Sequence, residues 1–502
     1  MLATGMIILS LLGYRVMSKL QINFVRHFVH KRKVYIFTDL NENSLNLAND
    51  IKRNNKKDIV ILCVDGASNS EECTRYEKEA SAAHHLIYTS YDAKDRINLC
   101  FRFKKSRTFI FAIHENIYDN IFLLEQYAQR YQTNKKKNWD VSMYVFSDYD
   151  FCEDIFYTEN IYPFDLHIID TKDLISRQLF HQFTLISTLG NSNVLTVCVI
   201  GFSEICEHLY RNIIYLGQFD GIQLKLLLID QDIRDKTAVF FQTNSEIEKC
   251  VEVTYVDVKV ATEEYYKELK KHLPDINCII VAEDDRKTVS EIRRLCKHSK
   301  AKTKVCAYGK DYEKYQVLLK TNMLSDVIWF GSSKELFTEN CIINEAFDLI
   351  AKQCNNYYNR IYHSTRTWEE ISLFEKQSNR ALALHFQSKL NYIGLRYEKS
   401  GNITVYEERL KDDNIFEQLS KGEHMRWNAY HFVNGWRTMT DFHSAQHKDG
   451  ILKLHSCLVP WDELDQLSSV FHKDFKKSDE SLIQNLGLIL SSVGYGITNY
   501  ER

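Results

Sequence analysis

A short stretch near the C-terminus gathers the side chains best suited to hold a small ligand. Seven residues there combine aromatic and polar groups: His424, Arg426, Trp427, Trp436, His455, Trp461 and Asp462. Each tryptophan supplies a flat apolar face and one N–H donor, and aromatic faces beside arginine and histidine are typical of a pocket for an adenine ring and its phosphates. The alternative is that the tryptophans form the core of a small domain and the polar residues tie its helices together. The sequence leaves both interpretations open.

A second candidate site begins at Gly201, directly after the apolar run Val194–Ile200. In a nucleotide-binding Rossmann unit, a glycine turn after the first strand admits a pyrophosphate, and an acid at the end of the second strand binds a ribose. Gly201, Ser203 and Asp230 stand at these positions, where NAD or another adenine nucleotide would bind, although the sequence identifies no cofactor. Other residues replace the later glycines of the G-x-G-x-x-G pattern, and Glu204 adds a negative charge. The sequence therefore predicts the fold here more firmly than the cofactor.

No catalytic motif accompanies these residues. The sequence has no G-x-S-x-G elbow, no Walker A motif and no H-E-x-x-H helix. His455 and Cys457 offer two metal ligands, but no second pair has zinc-like spacing, so we expect no metal site. The interpretation is a protein that is not an enzyme.

Strand-length apolar runs alternate with helix-period segments over two blocks, residues 31–190 and 191–335. The runs are Lys33–Thr38, Ile59–Asp65, Leu86–Tyr88, Thr108–Ile113, Val141–Phe146 and Leu166–Ile169 in the first block, and Val194–Ile200, Leu224–Ile229, Val253–Val258, Cys278–Val281, Lys304–Tyr308 and Val327–Phe330 in the second. Runs of Val, Ile and Phe without alternation indicate parallel sheets covered on both faces. The predicted fold class is α/β, with two doubly wound Rossmann-like domains followed by a mainly helical domain over residues 336–502.

The two Rossmann-like blocks differ at the phosphate turn. In the first block, the loop Thr38–Asn43 replaces the glycine turn and contains no glycine. We expect this loop to cap the next helix through Asn43 or Ser44 and not to bind phosphate. The second block, over Asn193–Gly331, resembles in its pattern of elements the TrkA-N or RCK regulatory domains of potassium channels and transporters. That resemblance implies paired Rossmann units that sense nucleotides or ions.

The C-terminal motifs are more specific. Glu423-His424 and Trp427 form an E-H-x-x-W helix motif, Gly435-Trp436 follow as a G-W turn, and residues 455–464 are HSCLVPWDEL. In this order the motifs resemble the RyR domain, the repeat named after ryanodine receptors, in its bacterial form, over Ser420–Leu464. The resemblance implies a domain that binds a small, nucleotide-derived signal.

The N-terminus has the composition of a membrane segment. Leu2–Tyr14 are apolar or small, and an extension to Leu20 approaches the roughly 20 residues of a bilayer span if Arg15 and Lys19 reach the interface. Because the basic residues follow the apolar run, the bulk of the chain would be cytoplasmic. We therefore predict a membrane anchor and juxtamembrane helix over residues 1–30. The alternatives are a buried N-terminal helix and the truncated end of a longer membrane region.

The overall composition restricts the partners. The 502 residues include 64 Lys and Arg against 67 Asp and Glu, a net charge of −3, which gives no basic face for bulk nucleic-acid binding. Thirteen scattered cysteines without a C-x-x-C pair indicate the reduced thiols of a cytosolic protein.

These features favour a membrane-anchored cytoplasmic sensor or regulatory protein that binds a small nucleotide-derived ligand through its RyR domain, its Rossmann domains or both. One alternative is a structural or regulatory partner of a membrane channel or transporter, with the Rossmann domains as surfaces for homo-oligomers. The second alternative is an NAD(P)-dependent enzyme that uses Gly201 and Asp230.

Overall fold

The computed structural model describes residues 2–28, 32–66, 70–103, 106–133, 140–149, 151–152, 162, 164–283, 286–298, 303–315, 326–440 and 447–500, with backbone alone for 2–11, 26–28, 286–289 and 298. The chain divides into two compact units. The first consists of Met1–Leu174, Ser333–Ala346 and Glu369–Leu373, and the second of Ile175–Ser332, Phe347–Trp368 and Phe374–Arg502.

The N-terminal part of the chain builds a parallel six-stranded sheet. Its strands are β1 (Val34–Phe37), β2 (Ile59–Asp65), β3 (Leu86–Ser90), β4 (Thr108–Ala112), β5 (Val141–Phe146) and β6 (Asp165–Ile169). The helices of this part are α1 (Leu2–Phe28), α2 (Glu42–Asn54), α3 (Glu71–Ala82), α4 (Ala93–Cys100), α5 (Ile117–Thr133) and α6 (Thr171–Gln182). The strand order β3-β2-β1-β4-β5-β6 is that of a doubly wound fold. The predicted Rossmann-like architecture of this part is confirmed.

An aromatic ladder crosses four strands of this first sheet. Phe37, Phe111 and Tyr144 are register partners on β1, β4 and β5, and their rings stack with centroids 4.5 and 4.9 Å apart. His167 on β6 continues the ladder, with its ring 4.5 Å from that of Tyr144. Since cross-strand aromatic pairs stabilise a particular pairing of strands, the ladder supports this strand order in addition to the backbone hydrogen bonds.

His167 ends the ladder between two carboxylates. Its Nδ1 lies 2.7 Å from Glu345, and its Nε2 lies 3.0 Å from Asp165. Burial by itself would lower the pKa of His167, but the two carboxylates outweigh that effect and raise the pKa to about 9. Both ring nitrogens therefore donate, and the ring is an imidazolium at neutral pH.

The His167 contacts predict a pH-dependent stability. Because the folded pKa lies above the ordinary value, the stabilisation is complete below about pH 6.5 and is lost as the pH rises towards about 9. We expect His167→Gln to lower the free energy of unfolding by about 2 kcal/mol near pH 6, and by much less near pH 9.5. Urea unfolding of the native protein and the variant at both pH values measures this. A loss that is equally large at both pH values would contradict the ion-pair account.

Helix α1 packs against the first sheet. The Tyr14 hydroxyl donates to the His85 carbonyl over 2.6 Å, Arg15 forms an ion pair with Glu77 on α3, and Ile22 is fully buried in the core. Within the ranges given above, no helix is both long enough and apolar enough to cross a membrane. The membrane anchor predicted over residues 1–30 is thus not supported, because Arg15 binds a carboxylate of the protein and does not reach towards lipid headgroups.

The loop after β1 caps α2, but through a different residue from the two that we expected. Asn41 is the N-cap, and its side chain accepts the Ser44 N–H over 3.0 Å. The Ser44 hydroxyl accepts the Asn41 N–H in return over 2.9 Å, which completes a capping box. The free N–H of Ser44, in the first turn of α2, is thus satisfied within the protein.

The middle of the chain repeats the plan. Its strands are β7 (Val194–Ile200), β8 (Gln223–Asp230), β9 (Glu252–Asp257), β10 (Cys278–Val281), β11 (Lys304–Tyr308) and β12 (Ile328–Phe330). The helices between them are α7 (Cys206–Leu216), α8 (Ile233–Thr243), α9 (Glu263–His272) and α10 (Arg286–His298). All neighbours pair in parallel in the order β12-β11-β10-β7-β8-β9. This second sheet confirms the second predicted Rossmann-like fold.

The rest of the chain is mainly helical, as predicted. Its helices are α11 (Ser333–Leu336), α12 (Leu349–Tyr362), α13 (Leu373–Tyr392), α14 (Thr404–Arg409), α15 (Asp413–Phe432), α16 (Leu464–Phe471) and α17 (Lys476–Ser491). Its short strands are β13 (Leu395–Lys399), β14 (Arg437–Thr438), β15 (Lys448–Asp449), β16 (Leu454–His455) and β17 (Tyr495–Asn499). Strands β13 and β17 pair antiparallel, and β16 lies between β14 and β15.

Candidate ligand site

Two tryptophans and three histidines meet at the C-terminal end of α15. We call Trp427, His431, Trp436, His447 and His455 the tryptophan–histidine cluster. The ring centroids of Trp427 lie 4.1 Å from His431 and 5.0 Å from His455. His431 lies 5.3 Å from Trp436, and His447 lies 5.5 Å from His455. The structure therefore brings together three predicted residues, Trp427, Trp436 and His455, with two histidines that the sequence analysis missed.

Backbone hydrogen bonds set the tautomers of two histidines in the cluster. Nδ1 of His431 lies 2.9 Å from the Trp427 carbonyl oxygen, so this nitrogen donates and Nε2 is left as an acceptor. Nδ1 of His455 accepts the Cys457 N–H over 3.0 Å, so the proton of the neutral ring is on Nε2. His431 therefore offers an imidazole acceptor and His455 an imidazole donor.

Positive charge surrounds these neutral rings. Burial first, and then the nearby His447, Lys448 and Lys473, lower the pKa of His455 to about 3. Burial likewise puts the pKa of His431 well below its ordinary value. The Lys448 ammonium lies 5.0 Å from the centre of the Trp436 ring. The imidazoles stay neutral at physiological pH chiefly because they are buried, and the cationic neighbours further disfavour a positive charge on them.

Trp436 contributes a hydrogen-bond donor that is not used within the described structure. Its side chain is 5% exposed, and its Nε1 is buried with no acceptor among the described residues. A buried indole N–H normally has a partner, because an unsatisfied donor destabilises the folded state. A ligand atom with a lone pair would satisfy this group.

The remaining predicted residues of this region lie at the side of the cluster or outside it. Nε2 of His424 lies 2.8 Å from the Val459 carbonyl oxygen, and its Nδ1 lies 3.2 Å from Asp479 on α17. The His424 ring also lies 5.8 Å from that of Trp461. His424 thus ties α15 to two other segments, whereas Asp462 is exposed.

Arg426 lies on a different face of α15 and belongs to a buried ion network. Its Nε and Nη2 donate to Glu423 over 3.0 and 2.7 Å, and Lys389 on α13 donates to the same carboxylate over 2.7 Å. Burial alone would raise the pKa of Glu423, but the two cations hold it below its ordinary value. Burial lowers the pKa of Lys389 to about 8 against the attraction of Glu423. Arg426 therefore positions α15 and does not contact the cluster.

The glycine turn of the second sheet is filled by a side chain of the protein. Gly201 follows β7 with φ +83°, and a Cβ added there would lie 2.5 Å from Cγ of Glu283. Glu283 follows β10, the strand next to β7. In a dinucleotide-binding fold this space admits the pyrophosphate. Here a carboxylate side chain takes the space, and its charge repels phosphate.

Ser203 and Asp230 also lie at this sheet edge, and both have partners in the protein. The Ser203 hydroxyl donates to the Ala282 carbonyl. Asp230 ends β8 as predicted, but its carboxylate is 8% exposed and lies 2.5 Å from the Lys236 ammonium. The three predicted cofactor residues are therefore adjacent, but their polar groups are already used.

The corresponding edge of the first sheet holds a histidine and an aspartate. Nδ1 of His114, after β4, lies 3.9 Å from the Asp39 carboxylate, after β1. The Asn41 side chain donates to the Ile113 carbonyl over 2.7 Å, which closes the space between the two strands. Burial lowers the pKa of His114.

No three His, Cys, Asp or Glu side chains in the described ranges come together in a way that would hold a metal ion. Burial raises the pKa of the Cys457 thiol to about 11, so the thiol is protonated at neutral pH. His455 uses Nδ1 to accept the Cys457 N–H, which leaves this nitrogen no free lone pair for a metal ion.

Comparisons with known proteins show no family. No family model matches the chain, and no curated protein matches it. Among solved structures, the chain is similar to the A chain of dipicolinate synthase from Bacillus subtilis, at 10% identity over 61% of this chain and 90% of that chain. The TM-score is 0.21, a value at which the similarity carries no argument about function.

The filled glycine turn predicts unequal costs for two glycine substitutions. Gly201→Ala adds a methyl group at positive φ and against Glu283, so we expect it to lower the free energy of unfolding by about 3 kcal/mol. Gly221→Ala is the matched control, since Gly221 has φ +74° but no atom within 4 Å of the added Cβ. We expect a cost of about 1 kcal/mol there. Urea unfolding compares the two, and equal costs would show that Glu283 does not fill the turn.

Proposed function

We propose that the chain is a ligand-binding regulatory protein, without enzymatic activity of its own, that holds a small nucleotide-derived ligand at the tryptophan–histidine cluster. The observation that carries the proposal is the contact of two tryptophans with three histidines, next to Lys448 and Lys473. The resemblance of Ser420–Leu464 to RyR domains supports the same location.

The chemistry of the cluster fits an anionic ligand with a flat ring. A purine can stack on an indole face, and the two lysine ammoniums can neutralise a phosphate. The acceptor on His431 and the donors on His455 and Trp436 match the alternating donors and acceptors on the edge of an adenine. An adenine nucleotide or an NAD-derived molecule has the flat ring, the hydrogen-bonding edge and the negatively charged phosphate in one molecule.

The cluster is also connected to the second sheet, which gives ligand binding a route to a regulatory effect. Asn434 and Thr438 lie on either side of Trp436 in sequence. Arg211 on α7 donates to the Asn434 side chain over 3.0 Å, and Lys249 donates to the Thr438 hydroxyl over 3.1 Å. A ligand that moves Trp436 would therefore act on both contacts with the Rossmann-like part.

Two further considerations favour a sensor over an NAD(P)-dependent enzyme. Glu283 fills the space beside Gly201 where an enzyme of this kind would bind the pyrophosphate of its cofactor, and Lys236 binds the Asp230 carboxylate that would hold the ribose. The second block also resembles the TrkA-N or RCK domains, whose role is regulatory. In this proposal the two sheets are a scaffold that responds to the ligand.

Calorimetric titration of the full chain with ATP, NAD, ADP-ribose and cyclic nucleotides tests the proposal. We expect one of these compounds to bind, and Trp436→Phe to weaken binding about tenfold, because it removes one hydrogen bond and keeps most of the ring. Lys448→Gln should weaken binding of a phosphate-bearing ligand by a similar factor.

Trp329→Phe is the matched control, since Trp329 in β12 also has a buried Nε1 without an acceptor in the described part of the chain. It should leave the affinity unchanged. If Trp329→Phe weakens binding as much as Trp436→Phe does, or if none of the four classes of compound binds the folded chain, the tryptophan–histidine cluster is not the site.

A further inference from the structure

Helix α1 carries a stripe of exposed apolar side chains. Leu12, Val16, Met17, Leu20 and Phe24 are each between 50 and 66% exposed. At 100° per residue, their spacing places all five on one side of the helix. The opposite side, with Ser18 and Ile22, is buried against the first sheet. The helix is therefore fixed to its unit by one side and presents an apolar surface on the other. Isolated exposed apolar residues are normal on protein surfaces, but a continuous stripe of five is not.

The charged residues of α1 and of the segment that follows it all have one sign. The sequence before Asp39 contains six basic residues and no acidic residue: Arg15, Lys19, Arg26, Lys31, Arg32 and Lys33. Of these, Lys19, Arg32 and Lys33 are exposed side chains in the described structure. A helix with an apolar side and exclusively basic charges has the features of a segment that lies on an anionic membrane surface.

We propose that the stripe on α1 binds the surface of an anionic lipid bilayer, with the helix axis in the plane of the interface. The five apolar side chains enter the boundary between headgroups and acyl chains, and Lys19 and the other exposed basic residues meet lipid phosphates and carboxylates. The buried side of α1 stays on the protein, so the whole first unit is held at the membrane surface. This binding is peripheral and needs no segment that crosses the bilayer.

Charge distinguishes this partner from a second copy of the chain. Two α1 helices that met through their stripes would bring their basic residues close together, and this repulsion opposes association. An anionic lipid surface turns the same charges into an attraction. The ion pair between Arg15 and Glu77 lies on the side of α1 that contacts α3, and Arg15 is not on the side that carries the stripe.

The test is flotation of the full chain with lipid vesicles. We expect the protein to float with phosphatidylcholine vesicles that contain roughly 30 mol% phosphatidylserine, and to stay at the bottom with phosphatidylcholine alone. Salt at about 0.5 M should release most of the bound protein, because it screens the basic residues. Lys19→Glu should weaken binding about fivefold or more.

Phe24→Glu and Phe122→Glu form a matched pair of variants. Both remove an exposed phenylalanine from the first unit, with 66 and 54% exposure, but only Phe24 lies on the stripe. We expect Phe24→Glu to reduce flotation at least about tenfold and Phe122→Glu to leave it near the native level. Thermal unfolding should change little in both, since both side chains are more than half exposed.

Three results would overturn the proposal. The first is equal loss of flotation in the two phenylalanine variants. The second is no flotation of the native chain with anionic vesicles. The third is a native dimer in light scattering that Phe24→Glu converts to a monomer while flotation is absent, which would make a second copy the occupant. Nucleotide binding at the tryptophan–histidine cluster is measured separately and does not depend on any of these results.

Discussion

The tryptophan–histidine cluster depends on one buried carboxylate, that of Glu423. It lies between the cations of Arg426 and Lys389, and the three side chains are at most 2% exposed. Removal of either cation or of the carboxylate would leave an uncompensated charge in the interior, which costs several kcal/mol. Because Lys389 is on α13 and the other two are on α15, the network sets how these helices pack. That packing also places Phe374, at the start of α13, 5.6 Å from Trp436.

Helix α15 thereby serves two purposes with different faces. Glu423 and Arg426 are spaced by one helical turn, and the Glu423 carboxylate binds both Arg426 and Lys389 in the interior. Trp427 and His431, four residues apart, share another face and form one side of the cluster. The ion network holds α15 in one orientation, because its charges lose their partners if the helix rotates. The same orientation keeps the ring contacts and the histidine tautomers of the cluster in place.

The sequence predicts the two sheets well because their strands are buried on both faces and therefore stand out as continuous apolar runs. It also groups Trp427, Trp436 and His455, since these lie within one short stretch. The sequence does not reveal contacts between residues that are far apart in the chain. Arg426 looks like a ligand group until Lys389, on another helix, is seen to share its carboxylate. Glu283 reaches Gly201 only because β10 lies next to β7. The prediction for helix α1 is wrong for another reason. The same apolar residues could form a membrane span, a buried face or an exposed stripe, and only the packing of the helix shows which of the three they form.

The two sheets have the strand order of nucleotide-binding folds, yet in each a side chain of the protein lies where such a fold binds phosphate. In the first sheet, the Asn41 side chain caps α2 and bonds to Ile113, so the positive end of the helix is neutralised internally. In the second sheet, Glu283 takes the space above Gly201. Both phosphate turns are therefore filled without a ligand. The buried N–H donor of Trp436, like that of Trp329 in β12, has no acceptor among the described residues, and Trp436 in addition lies beside His431 and Lys448. An unsatisfied donor beside neutral imidazoles and lysines is where a ligand gains most free energy. The cluster, and not the sheet edges, is thus where ligand binding would change the stability of the fold.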